Sequence, residues 1–176
     1  MKYTTLPNTN IEVSKICLGT MTFGRQNTEA EAHKQMDFAL EQGISFFDTA
    51  EMYAVPFTPE TQGLTEQYIG NWFAKNGQRD KVVLASKITG SGRGIFNCMR
   101  ENLDFSRASL DDALDKSLVR LQTDYLDLYQ LHWPERAVNI FGVRDYNYNA
   151  NKRWEDNIGE ILHRLETYVT DGKVRH

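Results

Sequence analysis

Four polar side chains stand where apolar runs of the sequence end. Asp48 follows Ile44-Ser45-Phe46-Phe47, Tyr53 comes five residues later, Lys87 ends the run that starts at Lys81, and His132 follows Tyr125 to Leu131. Together these residue types suit acid–base work on a carbonyl. A phenol with a pKa near ~10 is a weak acid at neutral pH, and an adjacent ammonium lowers that pKa by favouring the phenolate. A carboxylate beside the ammonium fixes its position, and a neutral imidazole donates a hydrogen bond to a carbonyl oxygen. Such a set would protonate an oxyanion as hydride arrives at carbon. Singly, each has a plainer reading: Asp48 as a turn cap, Lys87 as a solvated end, His132 as a satisfied loop residue, Tyr53 as one of 8 tyrosines.

Convergence requires adjacent parallel strands, and the patterning supplies them. Tyr3 to Leu6 and Ile11 to Val13 flank a turn-rich centre and predict a β-hairpin. Ile16 to Thr20 reads as a strand buried on both faces. Thr28-Glu29-Ala30-Glu31 is a capping box, Ala32, Met36, Ala39 and Leu40 recur at helical spacing, and Gly43 supplies the stop. Strands at Ile44–Asp48, Lys81–Lys87 and Tyr125–Leu131 then alternate with helices at Leu64–Lys75 and from Ser106, the latter with Ala108, Ala113, Leu114, Leu118 and Leu121 inward and Asp111, Asp112 and Arg120 solvated. A last helix carries Ile158, Ile161, Leu162, Leu165 and Val169, and Val174 begins a fifth strand. Alternation of this kind means βα units on a parallel sheet. No G-x-G-x-x-G follows the first strand, which favours a barrel over a doubly wound sheet.

Composition excludes other classes. The 176 residues carry 20 Lys+Arg against 24 Asp+Glu, a formal charge of −4, with the basic residues scattered. That offers no footprint for nucleic acid. The apolar runs fall far short of the roughly 18 residues needed to span a bilayer, and no signal-peptide core follows Met1, so a cytoplasmic protein without membrane partners is expected. Cys17 and Cys98 have no metal-type spacing, no metal site is expected, and the pair reads as one buried thiol and one loop thiol.

The motifs carry a resemblance. Gly43 to Tyr53 followed by Glu66-Gln67-Tyr68-Ile69-Gly70, then Ala85-Ser86-Lys87, then Asp124 to Pro134, with Gly19 to Gly24 before them, resemble in order the signatures of the aldo-keto reductase superfamily. The insertion Val55 to Gly63 resembles its Tas-type bacterial branch, related to potassium-channel β-subunits. The resemblance implies an α/β fold of the (β/α)8 TIM-barrel class, entered by a hairpin that plugs the barrel's bottom. It implies NADPH-dependent reduction of small aldehydes or ketones: Tyr53 as general acid, Lys87 lowering its pKa, Asp48 holding Lys87, and His132 orienting the carbonyl. Gly19, Thr20, Met21 and Asp48 would meet the NADP(H) nicotinamide ribose, and Trp133 and Phe23 would wall the substrate pocket.

Family members run well past 300 residues, so residues 1–176 are expected to form the N-terminal part of the domain, a truncated half with about four βα units. The other half of relatives carries most of the cofactor site. An open sheet would expose its strand edges and an inner face near Leu18, Phe47, Leu84 and Leu128, implying a homo-oligomer or a complementing half-barrel as partner. The alternative reading is an inactive remnant or half-barrel subunit working through protein contacts. The stretch Arg100 to Asp104 and the aromatics Phe141, Tyr146 and Tyr148 read as surface loops.

Overall fold

The computed structural model describes residues 1–90, 96–134 and 157–176. The aromatics Phe141, Tyr146 and Tyr148 lie outside them.

Two short strands, β1 (Tyr3–Thr5) and β2 (Glu12–Ser14), pair antiparallel as the expected hairpin. Four more, β3 (Cys17–Gly19), β4 (Phe46–Asp48), β5 (Val83–Ile88) and β6 (Leu128–Leu131), form one parallel sheet in sequential order. Helices α1 (Glu29–Glu41), α2 (Leu64–Asn76) and α3 (Arg107–Leu121) connect them in turn, and α4 (Ile158–Thr170) follows β6. Sequential order without reversal is the arrangement of barrel strands and lacks the switch point of a doubly wound sheet. After α4 the chain runs beside β6: Val174 bridges Leu126 in parallel, and the Tyr129 N–H donates to the His176 carbonyl at 2.9 Å. The hairpin lies at the N-terminal ends of the strands, where the Ser14 hydroxyl accepts from the N–H groups of Ser45 and Phe46 at 3.1 and 3.3 Å.

Local chemistry sets the helix ends. At α1 the Thr28 hydroxyl accepts from the Glu31 N–H while the Glu31 carboxylate accepts from the Thr28 N–H at 2.8 Å, completing the capping box. Beyond the helix Gly43 takes φ +77°, a conformation that strains any L side chain. Gly70 answers a different demand. An added Cβ there would lie 2.1 Å from the Arg120 carbonyl oxygen, so the absence of a side chain is what lets α2 approach α3.

Strand register corrects the expected inner face. Cys17, Phe46 and Val83 stand side by side, as do Gly19, Asp48 and Ala85, and Lys87 stands beside Gln130. Side chains alternate along a strand, so these residues share one face with Leu128. Leu18, Phe47 and Leu84 occupy the opposite face, where Phe47 and Leu84 are fully buried with Met36, Trp72, Leu114 and other helix residues. The open face therefore carries Cys17, Phe46, Val83 and Leu128 at its lower end and the polar tetrad at its upper end. β3 is correspondingly exposed rather than buried on both sides, and both Cys17 and Cys98 are exposed thiols. On α3, Ala108 faces solvent and Ser117 takes an inward position instead.

Candidate active site

Parallel register delivers three of the four expected residues to one sheet end. Asp48 is the last residue of β4, Lys87 the penultimate residue of β5, and His132 follows β6 directly. The Lys87 ammonium donates to Asp48 Oδ1 at 2.6 Å and to the Thr49 carbonyl at 2.8 Å, which fixes it against the β4 terminus. The other Asp48 oxygen accepts from Gln130 Nε2 at 3.3 Å. Lys87 Nζ lies 5.1 Å from the centre of the Tyr53 ring, and the Tyr53 and His132 rings meet edge to face at 5.7 Å. All four side chains thus converge.

His132 is held in its neutral form. Burial and then the Lys87 ammonium pull its pKa from 6.5 to about 4, with Asp48 opposing. A neutral ring is the form that donates to a carbonyl without competing for the proton. The depressed value also ties stability to pH. The unfolded chain binds a proton at His132 below pH ~6.5 that the folded chain refuses until near pH ~4, so this contribution is complete above that window and is lost as pH falls through it. The shift corresponds to at most about 3 kcal/mol. Urea unfolding between pH 4 and 7 should show a shallower acid loss in His132→Gln than in the unaltered chain; parallel curves would refute the assignment.

Trp133 joins Ala50, Met52, Tyr53 and Phe96 in a second apolar cluster, separate from the main core. Its indole lies over Gly90, where an added Cβ would meet Nε1 at 2.4 Å. Phe96 contacts both Trp133 and Phe57, the latter from the Val55 to Gly63 insertion. Trp133 therefore stands with Tyr53 and His132 of the tetrad. Phe23 does not. It is buried in the main core with Met36, Ile69 and Leu110, and its carbonyl accepts from the Thr65 hydroxyl at 2.7 Å, so its role is packing between loop and helix.

The residues expected along the nicotinamide ribose divide similarly. Gly19 and Met21 are exposed near the strand ends, and nothing lies within 4 Å of a Cβ built on Gly19. Thr20 is fully buried, and its hydroxyl and N–H both donate to the Asp48 carbonyl, at 2.8 and 3.1 Å. It braces Asp48 from behind.

Sequence reasoning passed over several participants. Gln130 shares a register position with Lys87 and lies two residues before His132, a signal available from strand alternation. Glu51 and Glu66, given no role in the sequence reading, are both buried. Glu66 accepts from Ser86 Oγ at 2.6 Å and from Arg120 Nε at 2.8 Å. Burial pushes the Glu51 carboxyl upward, opposed by Arg100 and by the Thr89 N–H. Arg100, expected on a surface loop, has a side chain only 6% exposed and pairs with Glu51.

The model of the aldo/keto reductase family matches residues 15–176. Protein tas of Escherichia coli is 48% identical over 181 residues, covering 100% of this chain and 51% of that protein. The uncharacterized oxidoreductase YrpG of Bacillus subtilis is 39% identical, covering 99% and 47%. Among solved structures, the holo form of aldo-keto reductase AKR11C1 from Bacillus halodurans matches with a TM-score of 0.71 and 31% identity, over 100% of this chain and 49% of that one. The chain spans about half the length of the curated relatives it matches.

Proposed function

Because the chain belongs to the aldo/keto reductase family, we propose that it serves NADPH-dependent reduction of small aldehydes or ketones to alcohols, with Tyr53 as the proton donor. The observation that carries this reading is the Lys87 ammonium, fastened to Asp48 at 2.6 Å and set 5.1 Å from the Tyr53 ring centre. That sets a fixed positive charge beside the ring of the group proposed to give up a proton. Neutral His132, edge-on to Tyr53, orients the carbonyl oxygen toward the phenol. The aromatic group of Trp133, Phe96 and Phe57 keeps one side of the site apolar.

The residues present fit the nicotinamide end of the cofactor. Open space at Gly19, which stands beside Asp48 in the strand register, and the exposed Met21 two residues on are where its ribose would lie. NADPH, when bound, supplies the hydride. Residues 1–176 then contribute the proton and the orientation, worth roughly 7–11 kcal/mol where reacting groups are held in near-attack geometry. Two exposed free cysteines suit a reducing compartment, in keeping with a cytoplasmic protein. Among the described residues no helix is long and apolar enough to cross a membrane.

A second reading rests on the open sheet face. Half-buried Phe46, Val83 and Leu128 would be covered by a second copy or another half-barrel, making the chain a subunit that works through protein contacts. Calorimetric titration of the purified chain with NADPH and NADH, followed by sedimentation of the same sample, separates the two. The reductase reading expects micromolar NADPH binding and weaker NADH binding. Self-association with no detectable binding of either would favour the second.

A further inference from the structure

Glu51 is a buried charged residue to which the proposed reaction gives no task. It sits between Asp48 and Tyr53, and the residue is only 2% exposed. Burying a carboxylate is unfavourable unless it is paired and fully hydrogen-bonded, so its position calls for a physical reason. Its bonding supplies one. The Glu51 N–H donates to the Lys87 carbonyl at 3.3 Å, and Glu51 Oε1 accepts from the Thr89 N–H at 2.6 Å. One residue thereby grips β5 at Lys87 and again two residues beyond it. The second oxygen pairs with Arg100, which also faces Asp112 at 3.5 Å. The Glu51 carbonyl accepts from Gln62 Nε2 at 2.7 Å, and the Gly63 N–H donates to the Tyr53 carbonyl at 2.8 Å.

A carboxylate present only to neutralise Arg100 needs no bond to the backbone at the end of β5. Every polar group of Glu51 instead ties the loop that carries Tyr53 to itself, to the Lys87 strand or to Arg100. We infer that Glu51, clamped by Arg100, is a positioning residue that registers the Tyr53 ring against the Lys87 ammonium. This rests on reading Tyr53 as the proton donor. It acts without touching substrate: proton transfer needs heavy atoms about 2.6–3.2 Å apart, and a misplacement of about 1 Å from a remote change costs roughly a hundredfold in rate.

The test is nuclear magnetic resonance of the 176-residue chain, following the contact between the Tyr53 ring and the end of the Lys87 side chain, whose Nζ lies 5.1 Å from the ring centre, assigned with Tyr53→Phe and Lys87→Met. Glu51→Gln keeps the shape and an acceptor for Thr89 but removes the charge opposite Arg100. The expected result is loss or weakening of the Tyr53–Lys87 contact while the Phe47–Trp72 core contact stays in place. Gln62→Ala, a milder change at a half-buried site, should shift the same signals partway. In NADPH-dependent aldehyde reduction, Glu51→Gln should lower kcat roughly 10–100-fold with KM nearly unchanged, and Glu51→Asp should recover part of it. An unchanged Tyr53–Lys87 contact in folded Glu51→Gln overturns the inference whatever the turnover. If Glu51→Gln yields no folded spectrum, an unchanged contact in Gln62→Ala overturns it instead. Lack of turnover in the unaltered chain counts against the reductase reading alone, and the contact still decides the positioning role.

Discussion

Tyr53→Phe is expected to lower kcat for NADPH-dependent aldehyde reduction by ~10²–10⁴-fold, the usual contribution of a positioned general acid. The substitution removes one hydroxyl and little else. The ring that meets His132 edge to face at 5.7 Å and lies beneath the Lys87 ammonium is retained, so the apolar cluster with Met52, Phe96 and Trp133 should keep its packing. Because the lost interaction matters chiefly as the proton moves, kcat and kcat/KM should fall together while KM holds. The loss corresponds to about 3–5 kcal/mol of barrier. Lys87→Met is a less clean probe, since it also strips Asp48 Oδ1 and the Thr49 carbonyl of their donor. Steady-state kinetics of Tyr53→Phe with the fold checked by circular dichroism make the measurement. A fall of less than about threefold would assign the proton to another donor, because it lies far below the usual general-acid effect.

The largest effect on stability should come from Glu66. Its side chain is fully buried, Arg120 donates to it from Nε and Nη2 at 2.8 and 2.7 Å, and Ser86 donates at 2.6 Å. Glu66→Ala leaves a guanidinium and a hydroxyl without their acceptor in the α2–α3 contact. Removing one partner of a buried pair costs roughly 3–5 kcal/mol, and the partial exposure of Arg120 places the expected loss near the lower bound. For a chain of this length that is about 6–12 °C in Tm. The double variant Glu66→Met, Arg120→Met should recover most of the loss, since apolar side chains of similar volume remove both charges at once. Thermal unfolding of the three proteins checks this. A single-variant loss below about 1 kcal/mol would show that water or a neighbour satisfies Arg120 at once.

What the sequence disclosed and what it hid follow from the same physics. The Thr28–Glu31 capping box and the stop at Gly43 are local chemistry between residues a few positions apart, and both appear in the fold as read. Asp48, Lys87 and His132 were legible because each ends an apolar run, and strand ends are where parallel sheets gather polar side chains. The face of each strand was not legible. Short parallel strands are apolar on both sides, so alternation alone assigns Phe47 and Phe46 to opposite faces without saying which meets the helices. Phe23 illustrates the same limit: the resemblance offered it as a pocket wall, and it is buried in the main core together with Met36, Ile69 and Leu110. Glu51, Glu66 and Arg100 were hidden because a charged residue reads as solvated unless its partner is known, and those partners lie 49 residues away for Glu51–Arg100 and 54 for Glu66–Arg120.

The two bonds at the Lys87 ammonium also bear on chemical durability. An amine condenses with aldehydes through its free electron pair, forming an imine that would inactivate any protein meant to handle such compounds. Lys87 Nζ directs two of its N–H bonds at Asp48 and the Thr49 carbonyl, and its side chain is only 12% exposed. The attraction that holds the cation in place thereby shields the nitrogen from carbonyl adducts, and exposed lysines such as Lys75 would form such adducts first.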